Sequence, residues 1–305
     1  MNCKSKRLCA VVNPAAGSWQ CMKKYKRARE LLQSEGIDLN EKFSRYPGHI
    51  AQLIGEALSE ESDIVIVVGG DGTMREALPA LVYQDTEVFI FPFGTGNDMA
   101  RFMGISGDPN KAVSQLLGGR ARKVDAARAN GSYYLNVAGL GFDVEVLLKT
   151  ESLKRRFKNK AAYMLGIAAA LVSLRDYSVT LETDSGERHF PSAMIVSVGN
   201  GGYIGGGMAA LPKADISDGM LDVCVMHSVR KLRIPPVLLR FLNGRHLGMP
   251  ETEYLKVSSL TLKTEKPMPV QLDGDIVEET PLALKILKAS VNMILPREFA
   301  GPGGR

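Results

Sequence analysis

The sequence predicts an α/β protein in which an N-terminal doubly wound parallel sheet precedes a C-terminal antiparallel, β-sandwich-like domain. Its 305 residues exceed the usual size of one hydrophobic core. Strand and helix patterns alternate in the first part of the chain, whereas short alternating strands dominate the rest. We therefore expect a first domain over 1–124, a second over 125–287, and a C-terminal segment near 288–305 that returns to the first.

The first part alternates apolar strands with amphipathic helices. LCAVVN, DIVIVVGG and EVFIFPFG predict strands buried on both faces of a parallel sheet, and another strand is expected near 39–44. The helices between and after them are predicted from MKKYKRARELLQSEG, HIAQLIGEALSE, GTMREALPALVY and TGNDMARFMG. This order is typical of a doubly wound sheet.

The second part is rich in predicted strands. KVDAARANGSYYLNVAGLGFD indicates a hairpin around Asn130-Gly131, because Asn-Gly is a strong turn dipeptide. One helical region is expected over 151–174. The following segments predict short strands separated by turns: YSVTLETDSGERHFPSAMIVSVGN, MLDVCVMHSV, YLKVSSLTLKTE, MPVQLDGD and LALKILKASVNMIL. This pattern favours an antiparallel sheet domain.

Composition and charge exclude several protein classes. With 45% apolar and 23% charged residues, the chain has the composition of an ordinary globular protein. A net charge of +5 favours anionic partners but falls short of a nucleic-acid-binding signature. The four cysteines have no CxxC spacing, which favours a reducing, cytoplasmic setting without disulfides or zinc. No signal peptide is predicted, and the longest apolar stretch, of 14 residues, is too short to span a membrane.

Three glycine-containing loops follow strands of the predicted first sheet. VVGGDGT (67–73) and FPFGTGND (91–98) each end a strand and open a helix, and VVNPAAG ends the first strand. The carboxyl ends of parallel strands form one ligand-binding edge, where backbone N–H groups at a helix start favour phosphate. Asp71 conflicts with phosphate unless a metal intervenes, so the loops predict a magnesium-bridged nucleotide. The Walker and GxGxxG patterns are absent.

Together these motifs resemble the catalytic domain of the diacylglycerol kinases. The resemblance depends on GGDGT (69–73) with PFGTGND (92–98), and extends to NPAAG, SRYPGH (44–49), ADISDGMLDV (214–223) and LDGD (272–275). GGDGT alone is shared with NAD kinases and phosphofructokinase-like enzymes, whereas GTGND with the ADxxDGxLD segment is specific for lipid kinases. The resemblance implies a phosphofructokinase/NAD kinase-like first domain and an ATP-dependent, Mg²⁺-dependent lipid kinase that phosphorylates a hydroxyl such as that of diacylglycerol.

The resemblance also implies roles for individual residues. ATP contacts are implied for Asn13, Ser44, Gly69, Gly70, Asp71, Gly72, Thr73, Met74, Arg75, Gly94, Thr95 and Asn97. Magnesium contacts near the phosphates are implied for Asp71 and Asp98. A further magnesium site would use the Asp218 carboxylate and the backbone carbonyls of Asp215 and Met220. Asp275 would be the general base, with Asp71 as the second catalytic carboxylate.

Two positions depart from the family pattern. Arg75 stands where the family usually has Asn, and Asp275 stands where it has Glu. A shorter base matters because an offset near ~1 Å can cost ~100-fold in rate, so Glu278 or Glu279 is an alternative base. The departures keep two other functions open: an NAD kinase-like enzyme with a soluble substrate, and a catalytically degenerate nucleotide-binding protein that is recruited to membranes.

A basic cluster suggests contact with a membrane that carries the lipid substrate. It consists of Lys154, Arg155, Arg156, Lys158 and Lys160, just before the longest apolar stretch. Each basic residue near an anionic surface contributes roughly 1 kcal/mol, so transient peripheral binding is expected. The alternative is a solvated helix face. The sequence leaves the identity of the lipid and the formation of a homodimer open.

Overall fold

The computed structural model describes residues 5–153, 165, 166, 168–171, 175–299 and 301. Its first part is a parallel sheet in the order β2-β1-β3-β4, and β1, β3 and β4 are almost fully buried. The strands are β1 (Leu8–Val12), β2 (Leu39–Phe43), β3 (Ile64–Gly69) and β4 (Glu87–Pro92). The helices are α1 (Cys21–Ser34), α2 (His49–Ser59), α3 (Asp71–Leu81), α4 (Asp98–Phe102) and α5 (Pro109–Gly118). This architecture confirms the predicted doubly wound arrangement.

Burial explains why these strands form the centre of the sheet. β1 and β3 consist mostly of β-branched or small apolar residues with no side chain left in water, which is typical of strands covered on both faces. α1 packs against α5, and α2 packs against α3. As a result, the carboxyl ends of β1, β3 and β4 lie side by side at one edge of the sheet.

The second part is an antiparallel sheet with a sandwich-like core, as predicted. Its strands are β5 (Arg120–Ala129), β6 (Ser132–Tyr134), β7 (Val137–Gly141), β8 (Tyr177–Thr183), β9 (Gly186–Gly199), β10 (Tyr203–Ile204), β11 (Met208–Ala209), β12 (Leu221–His227), β13 (Thr252–Val257), β14 (Ser259–Thr264), β15 (Pro269–Leu272), β16 (Asp275–Glu279) and β17 (Leu282–Leu295). The predicted Asn130-Gly131 hairpin is confirmed, since Ala129 pairs with Ser132.

The last strand connects the two parts. β17 pairs with β14 and β5 in antiparallel fashion and, at Met293, lies parallel to Val88 of β4. A register irregularity between Leu287 and Val291 interrupts the ladder with β5. The C-terminal strand therefore extends from the second core to the edge of the first sheet. The domain division at 124/125 stays a prediction.

Two helices of the second part differ from the sequence prediction. α6 (Phe142–Leu153) begins well before the expected start at Glu151, because GLGFD turns into a helix directly after β7. α7 (Ile234–Leu242), which has proline in its first turn, was not predicted. Most of the predicted helix over 151–174 lies outside the described residues, as does the basic cluster Lys154, Arg155, Arg156, Lys158 and Lys160. Among the helices in the described ranges, none is long and apolar enough to cross a membrane.

Candidate active site

The glycine loops predicted from the sequence meet at the carboxyl edge of the first sheet. The Asn13 backbone N–H donates to the Val68 carbonyl, and the Asn13 Nδ2 donates to Thr73 Oγ1 over 3.0 Å. The Gly94 N–H donates to the Gly69 carbonyl over 3.0 Å. The ends of β1, β3 and β4 are thus tied into one continuous backbone surface.

Close backbone contact explains why glycine occupies these loops. A Cβ on Gly94 would lie 2.4 Å from the Gly70 Cα, well inside van der Waals contact. Gly17 adopts a positive φ of 58°, and a Cβ there would lie 2.5 Å from the Phe93 carbonyl oxygen. Side chains are excluded at these two positions, so backbone groups form the surface there.

The starts of the two helices differ in how their N–H groups are used. α3 begins after Gly70 with no side-chain cap, which leaves first-turn N–H groups for an anion. In the next loop Asn97, in the left-handed region, accepts from the Gly94 N–H and donates to the Gly94 carbonyl. The Asn97 amide therefore fixes the loop, while the Thr95 side chain is exposed at its tip.

The Asp71 carboxylate fixes the start of α4. Its carboxylate accepts hydrogen bonds from the backbone N–H groups of Asp98 (3.0 Å) and Met99 (3.1 Å), at the start of α4. Burial, followed by the nearby charge of Asp98, raises the pKa of Asp71 to about 6. The GGDGT and GTGND motifs are therefore joined through this carboxylate, and its charge is partly balanced by the N-terminus of α4.

Asp98 points into the same space from the other side. Its Oδ2 accepts from the Gly206 N–H over 2.8 Å, while its Oδ1 is buried without a hydrogen-bond partner. Burial raises its pKa. A Cβ on Gly96 would lie 3.1 Å from Asp71 Oδ2 and 3.8 Å from Asp98 Oδ2, so the absence of a side chain there leaves room between the carboxylates. Two hard oxygen donors beside a phosphate-binding edge fit Mg²⁺, which takes its other ligands from phosphate and water.

The second part of the chain supplies one acidic side chain to this edge. Asp275, at the start of β16, accepts a hydrogen bond from Arg75 Nη2 over 3.0 Å. A Cβ on Gly72 would lie 2.9 Å from Asp275 Oδ2, so the carboxylate lies directly over the GGDGT loop. The two positions that depart from the family pattern are therefore in contact with each other.

The turn that carries Asp275 is built by two neighbouring polar residues. The Asp273 carboxylate accepts from the backbone N–H groups of Leu135, Asn136 and Val137 at distances of 2.9–3.0 Å. The Gln271 Oε1 accepts from the Gly274 N–H over 2.8 Å. Asp273 was not predicted as a site residue, although its place in the tight LDGD turn offered a signal.

Comparison with known proteins identifies the family to which this edge belongs. Residues 7–129 match the diacylglycerol kinase catalytic domain, and residues 136–295, more than half of the chain, match the YegS C-terminal NAD kinase beta sandwich-like domain. The chain belongs to this diacylglycerol kinase family of lipid kinases. The resemblance inferred from the motifs is confirmed, and phosphotransfer is the reaction class of the family.

Individual relatives of this kinase family align over nearly the whole chain. A diacylglycerol kinase of Bacillus subtilis (strain 168) is 27% identical, with 97% of this chain and 98% of the relative covered. A diacylglycerol kinase of Mycobacterium tuberculosis (strain ATCC 25618 / H37Rv) is 28% identical over 95% and 96%. A diacylglycerol kinase structure from Bacillus anthracis str. Sterne superposes with a TM-score of 0.73 at 23% identity, covering 97% and 98% of the two chains. The fold is therefore that of a lipid kinase throughout.

The second magnesium site implied by the lipid-kinase resemblance has a different environment. Asp218 Oδ1 accepts from the Met220 N–H, and Asp218 Oδ2 accepts from Lys256 Nζ over 2.5 Å. Asp215 Oδ1 accepts from the N–H and hydroxyl of Ser217. In the described ranges no group of three or more His, Cys, Asp or Glu side chains is arranged to hold a metal. Both oxygens of Asp218 accept hydrogen bonds in this arrangement, and the magnesium site formed with the carbonyls of Asp215 and Met220 stays a prediction.

Asp125 anchors the same loop and was missed by the sequence reasoning. Its buried carboxylate accepts from the Gly219 N–H (2.7 Å) and the Ala289 N–H (2.6 Å), which ties the DISDGM loop to β17. Burial raises its pKa, with a smaller contribution from the charge of Asp218. An isolated acid in the small-residue strand KVDAARA was the available signal.

The structure brings most, but not all, of the predicted site residues together. Residues that surround the edge are Asn13, Gly69, Gly70, Asp71, Gly72, Thr73, Met74, Arg75, Gly94, Thr95, Asn97, Asp98 and Asp275. Ser44 ends the neighbouring strand, where its N–H donates to the Val12 carbonyl. Asp215, Asp218 and Met220 lie in the loop held by β5, β13 and β17. Glu278 lies at the β5–β6 hairpin, where it accepts from Ser132 Oγ over 2.6 Å.

Proposed function

We propose that this chain is an ATP-dependent lipid kinase that transfers the γ-phosphate of ATP to a lipid hydroxyl such as that of diacylglycerol. The position of Asp275 over the GGDGT loop is the observation that carries the proposal. It sets a carboxylate suited to a general base against a backbone surface suited to phosphate. Two relatives named diacylglycerol kinase support the choice of acceptor.

In this proposal the carboxyl edge of the first sheet supplies the ATP site. The uncapped N–H groups of α3 bind phosphate oxygens, and the exposed Thr95 offers a hydroxyl at the tip of the second loop. Asp71 and Asp98, whose carboxylates lie near Gly96, would hold Mg²⁺. When bound, the ion neutralises charge on the phosphates. The protein itself orients the γ-phosphate by fixing both loops to each other.

Asp275 and Arg75 act on the acceptor side. Asp275 takes the proton from the lipid hydroxyl as the hydroxyl oxygen forms a bond to the γ-phosphorus, while the bond to the β–γ bridging oxygen breaks and ADP leaves. Arg75 holds the carboxylate in place through the 3.0 Å hydrogen bond, and its buried Nε has no hydrogen-bond partner. A guanidinium at this position also stabilises negative charge on the transferred phosphoryl group. We infer that the Arg75–Asp275 pair replaces the Asn and Glu of the family as a unit.

An apolar cavity supports a lipid acceptor over a soluble one. Among the described residues, a narrow cavity of about 20 Å³ is lined only by apolar side chains, which include Phe142, Met194, Met226, Val237 and Phe241. The residue after Phe142 is Asp143, whose Oδ2 accepts from Gln271 Nε2 at the base of the Asp275 turn. One lining residue of the cavity is thus followed directly by a residue that contacts Gln271 of the Asp275 turn. The apolar lining suits hydrocarbon better than a charged dinucleotide.

Label transfer tests the proposal. The full chain is incubated with γ-labelled ATP, Mg²⁺, NAD and mixed micelles of diacylglycerol, and the products are separated by phase extraction. We expect label in the organic phase, with a loss on the order of 100-fold for Asp275→Ala and none for Glu187→Ala on the exposed β8–β9 hairpin. Label found only on NAD in the aqueous phase would establish the soluble-substrate alternative. ATP binding without turnover on any hydroxyl would indicate a degenerate protein.

A further inference from the structure

The segment around α7 is strongly basic. From Val223 to Pro250 the chain has no Asp or Glu. Over the same range it has five basic residues, Arg230, Lys231, Arg233, Arg240 and Arg245. Arg233 is paired with Glu251, whereas the side chains of Arg240 and Arg245 are exposed. The surface around this helix therefore has a positive field that favours an anionic partner.

The inner face of α7 fixes the helix to the second part of the chain. Ile234, Val237 and Phe241 recur at helical spacing and are buried, and all three line the narrow apolar cavity. Phe241 also packs against the His246 ring. Because this face packs against the core, the opposite face of α7 is the one available to contact a partner.

The outer face carries exposed leucines. Leu232, Leu239 and Leu242 are 94%, 62% and 42% exposed, respectively. Full burial of one such side chain is worth roughly 1.5–3 kcal/mol, so three exposed leucines on one short segment leave much stabilisation unused. Exposed apolar groups clustered among polar ones mark an interaction surface rather than chance.

The combination of charges and leucines selects the partner. We propose that the α7 outer face, defined as Leu232, Leu239, Leu242, Arg240 and Arg245, docks onto an anionic lipid bilayer. Leucines enter the interface between headgroups and acyl chains while arginines contact acidic headgroups. A second copy of the chain fits less well, because a two-fold interface brings the same patch together and sets like charges against each other.

Docking through this face also places the bilayer next to the apolar cavity. The inner face of the same helix forms part of the cavity wall, so one helix separates hydrocarbon from the cavity interior. Lipid entry by this route rests on the proposed lipid-kinase function. Membrane docking itself does not, since it depends only on the exposed leucines and arginines.

Vesicle sedimentation without ATP or diacylglycerol tests the docking alone. The wild-type full chain is mixed with two kinds of phosphatidylcholine vesicle, one without phosphatidylglycerol and one with about 30% phosphatidylglycerol. We expect binding to the anionic vesicles only. Leu232→Ser/Leu239→Ser should weaken the partition coefficient about tenfold or more, whereas Tyr83→Ser, which removes an exposed aromatic from the first part, should leave it unchanged.

Charge variants provide the second arm. Arg240→Glu/Arg245→Glu should weaken binding about tenfold or more, and Lys23→Glu/Lys26→Glu, which changes the net charge equally on the exposed side of α1, should change it less than threefold (~0.6 kcal/mol). Equal binding by wild type and both α7 variants would overturn the proposal. So would conversion of a dimer to a monomer by the leucine variant in light scattering, because a second copy would then cover the face.

Phosphorylation of a short-chain, dispersed diacylglycerol separates docking from catalysis. The α7 variants should keep the wild-type rate on this substrate and lose rate only on anionic vesicles. Vesicle binding with no phosphorylation of any lipid would refute the proposed function and leave the docking surface standing. Phosphorylation of vesicle lipid at equal rates by wild type and α7 variants would refute the docking surface and leave the function standing.

Discussion

The Asp71–Asp98 pair and the Asp218–Asp222 pair both place two acidic side chains in a partly buried loop region, but their charges are balanced differently. Asp71 accepts from the backbone N–H groups of Asp98 and Met99, and Asp98 Oδ1 has no hydrogen-bond partner, with Arg101 Nε at a distance of 3.9 Å. Lys256 Nζ, in contrast, lies 2.5 Å from Asp218 Oδ2 and 3.4 Å from Asp222 Oδ2. In the first pair one oxygen, Asp98 Oδ1, lacks a hydrogen-bond donor, whereas in the second pair one lysine lies within ion-pair distance of both carboxylates.

The largest effect on activity is expected at the Asp71–Asp98 pair. Asp71→Asn should lower kcat/KM on the order of 1,000-fold, because the amide can neither hold a cation nor accept both N–H groups of α4 in the same way. Asp215→Asn, which changes the same atoms in the other loop, should cost less than tenfold (~1.4 kcal/mol). Label transfer to diacylglycerol measures both. A comparable loss in the two variants would show that the two acidic regions share one role.

The next effect concerns the Arg75–Asp275 contact. Asp275→Ala should cost on the order of 100-fold in kcat. Arg75→Asn should cost about tenfold, with the loss greater in kcat than in KM because the arginine positions the base. Arg75→Asn combined with Asp275→Glu restores the family pair and should recover activity beyond the sum of the two single changes. Strictly additive losses in this double-mutant cycle would show that the two positions act independently.

The sequence allowed the phosphate edge to be predicted closely, for a physical reason. Backbone contacts such as that between Gly70 and Gly94 leave room for glycine alone. A short glycine motif therefore predicts the geometry of these loops. The Asp275 turn was also in a recognisable motif. The contact of Asp275 with Arg75 could not be predicted, because two residues 200 positions apart meet only through the placement of the β15–β16 hairpin beside the GGDGT loop.

The lysine-balanced loop and α7 could not be predicted for a related reason. DISDGM resembles a metal site in sequence, and only the pairing of β12 with β13 brings Lys256 to Asp218 and Asp222. The exposed leucines of α7 have the spacing of a buried helix, and nothing local distinguishes the face that packs from the face that does not. In both cases the missing information is the identity of a neighbour distant in the chain.

Removal of Lys256 should leave the Asp218–Asp222 pair without its neighbouring cation. Lys256→Met should destabilise the fold by about 1–2 kcal/mol, a figure reduced from that of a buried pair because Lys256 and Asp218 are partly exposed. Mg²⁺ should then raise the Tm of the variant more than that of the wild type, since Asp218 and Asp222 lose their cation. Activity at low temperature should stay within threefold (~0.6 kcal/mol). Thermal unfolding with and without Mg²⁺ measures the loss of stability and the Tm shift. An equal Tm shift in the two proteins would show that Lys256 does not keep a cation away from Asp218 and Asp222.

The last prediction concerns the pH dependence of stability at Asp143, a buried acid for which the described residues show no ion pair. Burial raises its pKa to about 6, against the lowering effect of the hydrogen bond from Gln271, and its Oδ1 has no hydrogen-bond partner. Between about pH 4 and pH 6 the unfolded chain releases this proton while the folded chain keeps it, so the contribution of Asp143 to stability is greatest below pH 4 and is lost as the pH rises through 6. Asp143→Asn removes that dependence. The free energy of unfolding of the variant should therefore gain on that of the wild type by at most about 3 kcal/mol between pH 4 and pH 7, measured by urea titration at both values. A constant difference between the two proteins would mean that the pKa of Asp143 is the same in the folded and unfolded chain, so that hydrogen bonds such as that from Gln271 offset the effect of burial.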